Sequence, residues 1–512
     1  MPLPTSPFCP VPLLFMSAPD SHLRMFLDEA RGLVEGCPAL VDHVEADLDA
    51  HARNKKALRV ADAAWVAAQT VSLPLHTSPS TVGDPSQLTL GQGRPRTPAY
   101  VVLMAVLLRG FFGAGFKACN TATMMVESMT LHVFFENLGL RMPGRSTLTE
   151  LVNAVSNQTR QRILDAQVAR VLSLGWDDFS VMLQDSTHVE GNTAWPTDSR
   201  LLVALVARLL RVGASLPRLE LAAMDSPSVR RHLLVMTQLD REIALAPSCR
   251  DRGRTRRRRY KKLLWRARRV HTTLSKAVAE VEAALAVLDV LPSRKAMADR
   301  AVQGLRADVD ALAQVIATCE ARVIREEKVP MADKKLSVSD PDAGFIAKGQ
   351  RVPVIGYKPQ LARSGAGFIT GLLLPKGNAA DSKQLVPMFD EVVRRTGVVP
   401  QVVSVDDGYA SKANRDELCG KGVQIISING AKGRALTACA DWDSDEYALA
   451  RDKRSAVESL MFTLKQGFHF GEVARRGLAQ VLGELLEKAI ACNICHMVRT
   501  RLAMEPAIEQ AA

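Results

Sequence analysis

Apolar positions in this chain follow two rhythms, one stepping by threes and fours and the other packed into short runs. The stepping rhythm is clearest in Leu274, Val278, Val281, Leu285, Leu288 and in Val302, Leu305, Val309, Leu312, Ile316. That spacing belongs to a helix–helix seam. Pro292-Ser293 lies between the two series, so they predict an antiparallel helical hairpin inside a helical stretch over 198–328. From Pro98 to about Ile163 the pattern is also helical, with breaks expected at Gly110, Gly113, Gly115 and Gly139. There, Met142-Pro-Gly-Arg-Ser-Thr147-Leu-Thr-Glu150 predicts a capping box in which Thr147 and Glu150 satisfy each other's amides. Short helices joined by tight turns, the last opening with Arg145, suit either a helix-turn-helix DNA reader or an ordinary helical domain.

The short runs predict strands at Phe179–Asp185, Val352–Lys358, Gly367–Leu374, Val402–Val405 and Val423–Ile428. Helical stretches at Asp381–Thr396 and Ser411–Gly420 lie between the later ones, which implies an α/β layer. Residues 77–97, rich in Thr, Ser, Pro and Gly, read as a linker. Before it comes a helical segment over 25–76, and before that a leader over 1–24, expected to be disordered. The run Val11-Pro-Leu-Leu-Phe-Met16 has no basic stretch ahead of it and does not read as a signal peptide.

With 512 residues the chain should form about two to four domains. A net charge of +12 favours a polyanionic partner, nucleic acid first and an acidic membrane surface second. The longest apolar stretch, Tyr100–Leu108, is stopped by Arg109, so no membrane-spanning role follows. Nine scattered cysteines argue for reduced thiols rather than a disulfide framework. Cys492-Asn-Ile-Cys495 with His496 is half of a zinc site at best, and buried small residues are its default reading.

The charge concentrates between Arg250 and Arg269, where twelve of twenty residues are basic. Arg256, Arg257, Arg258, Arg259, Lys261 and Lys262 are candidates for DNA phosphate contact by counterion release. Tyr260 and Trp265 could stack on bases. The competing reading is a solvated basic helix face whose aromatics pack inward.

Two of the strand candidates end in an aspartate, Asp185 and Asp406, and Asp407 stands beside the second. If these strands are parallel neighbours, both carboxylates emerge at one sheet edge, where open α/β sheets bind ligands. Downstream, Arg454, Glu458 and Lys465 fall on one face of a predicted helix, and Arg451 joins them from two turns before Glu458. Three carboxylates can hold two Mg²⁺ ions, with Mn²⁺ as substitute, about 3.5–4 Å apart over a phosphodiester. Such a site cuts one strand with water and joins the freed 3′-hydroxyl to another. His188 either faces this site or continues the strand. Singly, each acid could equally be a turn or cap residue.

These blocks resemble those of the bacterial insertion-sequence transposases with an Asp-Asp-Glu triad. The stretch beginning Asp185-Ser-Thr-His-Val-Glu-Gly-Asn is similar to the family's first-aspartate block, and Asp406-Asp-Gly-Tyr409 to its Asp-x-Gly-Tyr block. Arg454, Glu458 and Lys465 fit the Tyr-x2-Arg-x3-Glu-x6-Lys block, but Arg451 holds the tyrosine position and Tyr447 lies one turn earlier. The resemblance implies an α/β fold: an RNase H-like mixed-sheet catalytic core over 176–197 and 334–512, an N-terminal all-α DNA-binding region over 98–175, and a long basic α-helical insertion over 198–333. It implies that Asp185, Asp406 and Glu458 coordinate the metals while Arg454 and Lys465 grip the DNA end. Implied partners are insertion-sequence ends and target DNA, with a homodimer pairing two ends, in the bacterial cytoplasm at the nucleoid. Ser337-Val-Ser-Asp-Pro-Asp342 is also similar to the family, but Asp340 and Asp342 read as turn residues. A metal-dependent nuclease that does not join, and a catalytically silent DNA-binding derivative, are the alternatives.

Overall fold

The computed structural model describes residues 19–70, 96–113, 118–195, 197–224, 226–246, 253–347 and 352–511. Most of the expected leader, nearly all of the expected linker, the Gly115 break and Arg250–Arg252 lie outside these residues. The leader does not extend to residue 24, because a helix runs Pro19–Gly36 and its first turn begins on the proline. The chain divides into two compact units, one of Met1–Asp49, Gln92–Asn192 and Asp342–Ala512, the other of Ala50–Gly91 and Thr193–Pro341.

The first unit contains eight strands among the described residues: β1 (Val181–Ser186), β2 (Val189–Glu190), β3 (Gly344–Ile346), β4 (Val354–Tyr357), β5 (Gln360–Ser364), β6 (Ile369–Leu373), β7 (Val402–Asp406) and β8 (Ile425–Asn429). Five form a mixed sheet in the order β6-β5-β1-β7-β8, and β2-β4-β3 form a small second sheet. β1, β7 and β8 are parallel, whereas β5 runs antiparallel to both β1 and β6. β1 begins two residues later than expected because Phe179 has a φ of 55°, outside the extended region. β5 was not foreseen, since Gln360-Leu-Ala-Arg-Ser364 is too polar to read as a strand, although four of its five residues are buried.

Side chains alternate across a strand. Met182, Val403, Val405, Ile426 and Ile428 share one apolar cluster with Leu385, Met388, Phe389 and Val392 of the helix Leu385–Thr396. The pairings Met182↔Val403 and Leu183↔Ser404 then place Leu183, Asp185, Ser404 and Asp406 on the opposite face.

Helices Ala99–Phe112, Asn157–Ser173 and Leu478–Ala511 pack together in the same unit. Gly110 is not a break. It lies inside its helix, where a Cβ would come within 2.1 Å of the Glu487 carbonyl oxygen, so its lack of a side chain permits a close helix crossing. Gly113 does end that helix, at φ 59°, and Gly139 at φ 69° follows the helix Met129–Asn137. The capping box at Thr147 does not form. The helix starts earlier, at Arg145 behind Pro143-Gly144, so Thr147 is inside the first turn and cannot take the extended backbone of a cap.

The second unit is helical over Asp198–Gly213, Pro227–Leu245, Arg254–Ala286 and Pro292–Cys319. Thr197 caps the first of these by accepting the Arg200 amide at 3.2 Å. Leu274, Val278, Val281, Val302, Leu305, Val309, Leu312 and Ile316 are all buried in one cluster, with Leu285 and Leu288 packed at the edge. Among the described residues no helix is long and apolar enough to cross a membrane.

Candidate active site

β1 and β7 deliver the two aspartates to one edge. Their recorded pairing ends at Leu183↔Ser404, so Asp185 and Asp406 each stand two residues further on, at the carboxyl ends of adjacent parallel strands. Asp185 is only 7% exposed, and its Oδ1 accepts the Ser186 amide at 2.6 Å. Asp406 Oδ1 accepts the Gly408 amide at 2.9 Å, closing a tight turn through Asp407–Tyr409.

Asp407 has a different task. Its Oδ1 accepts the amides of Lys432 at 2.8 Å and Gly433 at 3.0 Å, at the start of the helix Ala431–Leu436. Gly430 takes φ 127°, and a Cβ there would lie 2.6 Å from the Asp407 carboxylate carbon. The neighbouring aspartates are thus separated by structure: one faces the sheet edge and the other caps a helix.

Glu458 comes from the first turn of the helix Ser455–Gly467, which packs against β1. Arg363 of β5, paired with Leu183 and so on the Asp185 face, donates to the Ala456 carbonyl at 2.6 Å and anchors that helix over the face. The Glu458 side chain is 59% exposed and forms an ion pair with Arg454. Lys465 is half-buried on the same helix.

The continuous helix expected from Arg451 to Lys465 is interrupted. Asp445–Lys453 and Ser455–Gly467 meet at a tightened turn, with Arg454 N bonded to Arg451 O and Val457 N to Arg454 O. Arg451 lies with its guanidinium 4.6 Å from the Trp442 ring centroid and 5.5 Å from that of Tyr447. Tyr447 is buried, and its hydroxyl accepts the Ile428 amide at 3.0 Å, which commits it to the core.

Four further residues gather at the aspartate edge. The Tyr409 hydroxyl donates to Gln360 Oε1. Gln360 Nε2 donates to Asp381 Oδ1 at 2.8 Å, and buried Lys358 donates to Asp381 Oδ2 at 2.8 Å. Burial pushes the Tyr409 phenol up, and the carboxylates of Asp381, Asp185 and Asp406 push it the same way. Lys358, Gln360 and Asp381 were not singled out in the sequence. Their only signal was polarity in and after strand-like runs.

Asp185 and Asp406 offer the hard oxygen donors that a divalent cation of the Mg²⁺ type prefers. Glu458 does not complete a set with them: among the described residues no three His, Cys, Asp or Glu are grouped to hold one ion. Its carboxylate is on the Arg454 side of the helix and would have to leave that pair to join. At the other candidate, Cys492 and Cys495 are buried within the helix Leu478–Ala511. Burial raises both thiols, Cys492 to about 12. His496 turns to the Ala366 carbonyl at 2.9 Å.

In the second unit, Arg256, Arg258, Lys261 and Lys262 are exposed on the helix Arg254–Ala286 and have no ion-pair partner among the described residues. Arg257 pairs with Glu326, and Arg259 with Glu242 at 3.1 Å. Tyr260 does not stack on bases from here, because it is 3% exposed within the core cluster. Trp265 is 50% exposed, with the Arg269 guanidinium 4.7 Å from its ring centroid.

No curated protein and no solved structure matches the chain. A family model described as the transposase DDE domain matches residues 313–494, a span that contains Asp406, Arg454, Glu458 and Lys465 but begins after Asp185. Over that span the chain is similar to the transposase DDE domain, the family its Asp406 and Arg454-Glu458-Lys465 blocks resemble.

Proposed function

We propose that the chain is a DNA transposase that cleaves at insertion-sequence ends and joins the freed 3′-hydroxyl to target DNA, using Asp185, Asp406 and Glu458. The observation that carries this reading is the placement of Asp185 and Asp406 on one face at the ends of adjacent parallel strands. The sheet supports it as well: three parallel strands flanked by an antiparallel pair, in the order β6-β5-β1-β7-β8, is the arrangement expected of an RNase H-like core.

In this reading the two aspartates hold divalent cations at the sheet edge, Mg²⁺ with Mn²⁺ as substitute. Those ions would stabilise the attacking and leaving oxygens of an in-line displacement. The chain's own groups do the rest. Burial of Asp185 keeps one carboxylate fixed in a poorly hydrated corner. Arg454 and Lys465 contact the DNA-end backbone, and a phosphate at Arg454 releases Glu458 from its ion pair toward the aspartates. Of the two adjacent aspartates at the end of β7, Asp406 is the ligand, since Asp407 is committed to the Ala431–Leu436 helix. Arg256, Arg258, Lys261 and Lys262 supply phosphate contacts in the second unit. A homodimer pairs the two ends, acting at the nucleoid in the cytoplasm.

The test is incubation of the purified chain with its flanking DNA ends and a target plasmid, with Mg²⁺ or with EDTA. Metal-dependent joined products, lost in Glu458→Ala, are expected. Cutting without joining would leave a nuclease, and binding without cutting a silent derivative.

A further inference from the structure

Beyond Ser404 the ladder between β7 and β1 stops, while Asp406 stays paired with Asn429 of β8. The turn that follows also bears on its orientation. Asp407 anchors that turn toward β8 and the helix Ala431–Leu436. Tyr409 anchors it the other way: from the end of β7 it reaches past β1 to Gln360 on β5.

Gln360 is itself fixed. It accepts from Gln184 of β1 at 3.3 Å and donates to Asp381, whose second oxygen takes the Lys358 ammonium. Ser186, next to Asp185, pairs with Gln360 across the β1–β5 ladder. Gly408 leaves no slack, since a Cβ there would come within 3.0 Å of Asp406 Oδ1 and 3.4 Å of Asp381 Oδ2. A residue that only filled this space could be phenylalanine. A hydroxyl set among carboxylates is explained by the bond it makes.

We infer that Tyr409, braced through Gln360 by Asp381 and Lys358, is a positioning residue that fixes the Asp406 carboxylate for metal binding. The inference rests on the metal-dependent reading proposed above. Tyr409→Phe removes one hydroxyl and should fold, because Gln360 Oε1 keeps its Gln184 donor.

Calorimetric titration of the full chain with Mn²⁺ alone tests it, alongside thermal midpoints measured in EDTA. Asp406→Ala should abolish the binding that wild type shows. Tyr409→Phe and Asp381→Asn should each weaken it about 10- to 100-fold, the usual effect of removing a partner behind a metal ligand. The double variant should bind no more weakly than the worse single one, since both changes break one chain of contacts. Wild-type Mn²⁺ affinity in Tyr409→Phe, even with a lowered midpoint, would make the phenol purely structural and overturn the inference. Additive losses in the double variant would overturn the shared brace. If Asp406→Ala itself titrates like wild type, the metal reading fails and this inference with it.

Discussion

Arg454 and Glu458 are paired across one turn of the chain at the start of the helix that lies over the aspartate edge. The pair competes with any cation for the glutamate, but weakly: an exposed i,i+4 pair contributes about 0.3–0.5 kcal/mol. Arg454→Gln should therefore strengthen Mn²⁺ binding about twofold at most, while weakening binding to DNA ends and lowering its salt dependence. A tenfold gain in Mn²⁺ affinity would show that the pair is a strong lock.

The two adjacent aspartates should separate cleanly on mutation. Asp407→Ala removes the acceptor for two amides at the start of a helix, and should cost about 0.5–2 kcal/mol in urea unfolding with an unchanged Mn²⁺ isotherm. Asp406→Ala should do the reverse. Loss of Mn²⁺ binding in Asp407→Ala at full stability would exchange their roles.

On the basic helix, the exposed lysines and the paired arginines should also differ. Replacing Lys261 and Lys262 with alanine should lower the salt slope of DNA binding by roughly one unit per lysine, at unchanged stability. Arg259→Ala breaks its pair with Glu242 and should cost stability of about 0–1 kcal/mol instead. Equal salt slopes in the double lysine variant and wild type would make this a solvated face with no phosphate contact.

His496 gives the fold an acid limit. Burial lowers its pKa from 6.5 to about 4, with the nearby cations Arg499 and Arg363 acting in the same direction and the Ala366 carbonyl opposing them. A proton therefore binds the unfolded chain more tightly. The contribution of neutral His496 is whole above about pH 6.5 and is lost as pH falls toward 4, at a rate of at most about 1.4 kcal/mol per pH unit. His496→Gln, which keeps a donor for Ala366, should flatten the fall in thermal midpoint across that window. An identical pH profile in the variant would assign the acid limit to other groups.

What the sequence made legible was apolar rhythm and the polar residue that ends it. The seam Leu274–Ile316 and the strands stopping at Asp185 and Asp406 were readable because burial requires those patterns. β5 was hidden because Gln360 and Ser364 are polar yet buried, the first bonded to Asp381 and the second to the Phe368 amide in the following hairpin. Tyr260 had a signal that charge obscured: with Leu263, Leu264 and Ala267 it forms the buried stripe, while Trp265 falls off it. The interruption at Arg454 had none, since every residue from Arg451 to Val457 is compatible with a straight helix. Likewise, no local feature told Asp407 from Asp406; the amides of Lys432 and Gly433 decided it.

Glu487, fully buried on the C-terminal helix, faces Arg109 at 3.2 Å, Arg160 at 2.7 Å and Arg475 at 3.5 Å. Gly110 brings the helix of Arg109 close enough for this meeting. Trimming the protein to a minimal catalytic fragment that starts near β1 would remove two of those three arginines and strand an anion in the interior, a loss of several kcal/mol. The helices of Arg109 and Arg160 are therefore part of this core, and a deletion series through them should end in insoluble protein before it ends in an isolated enzyme.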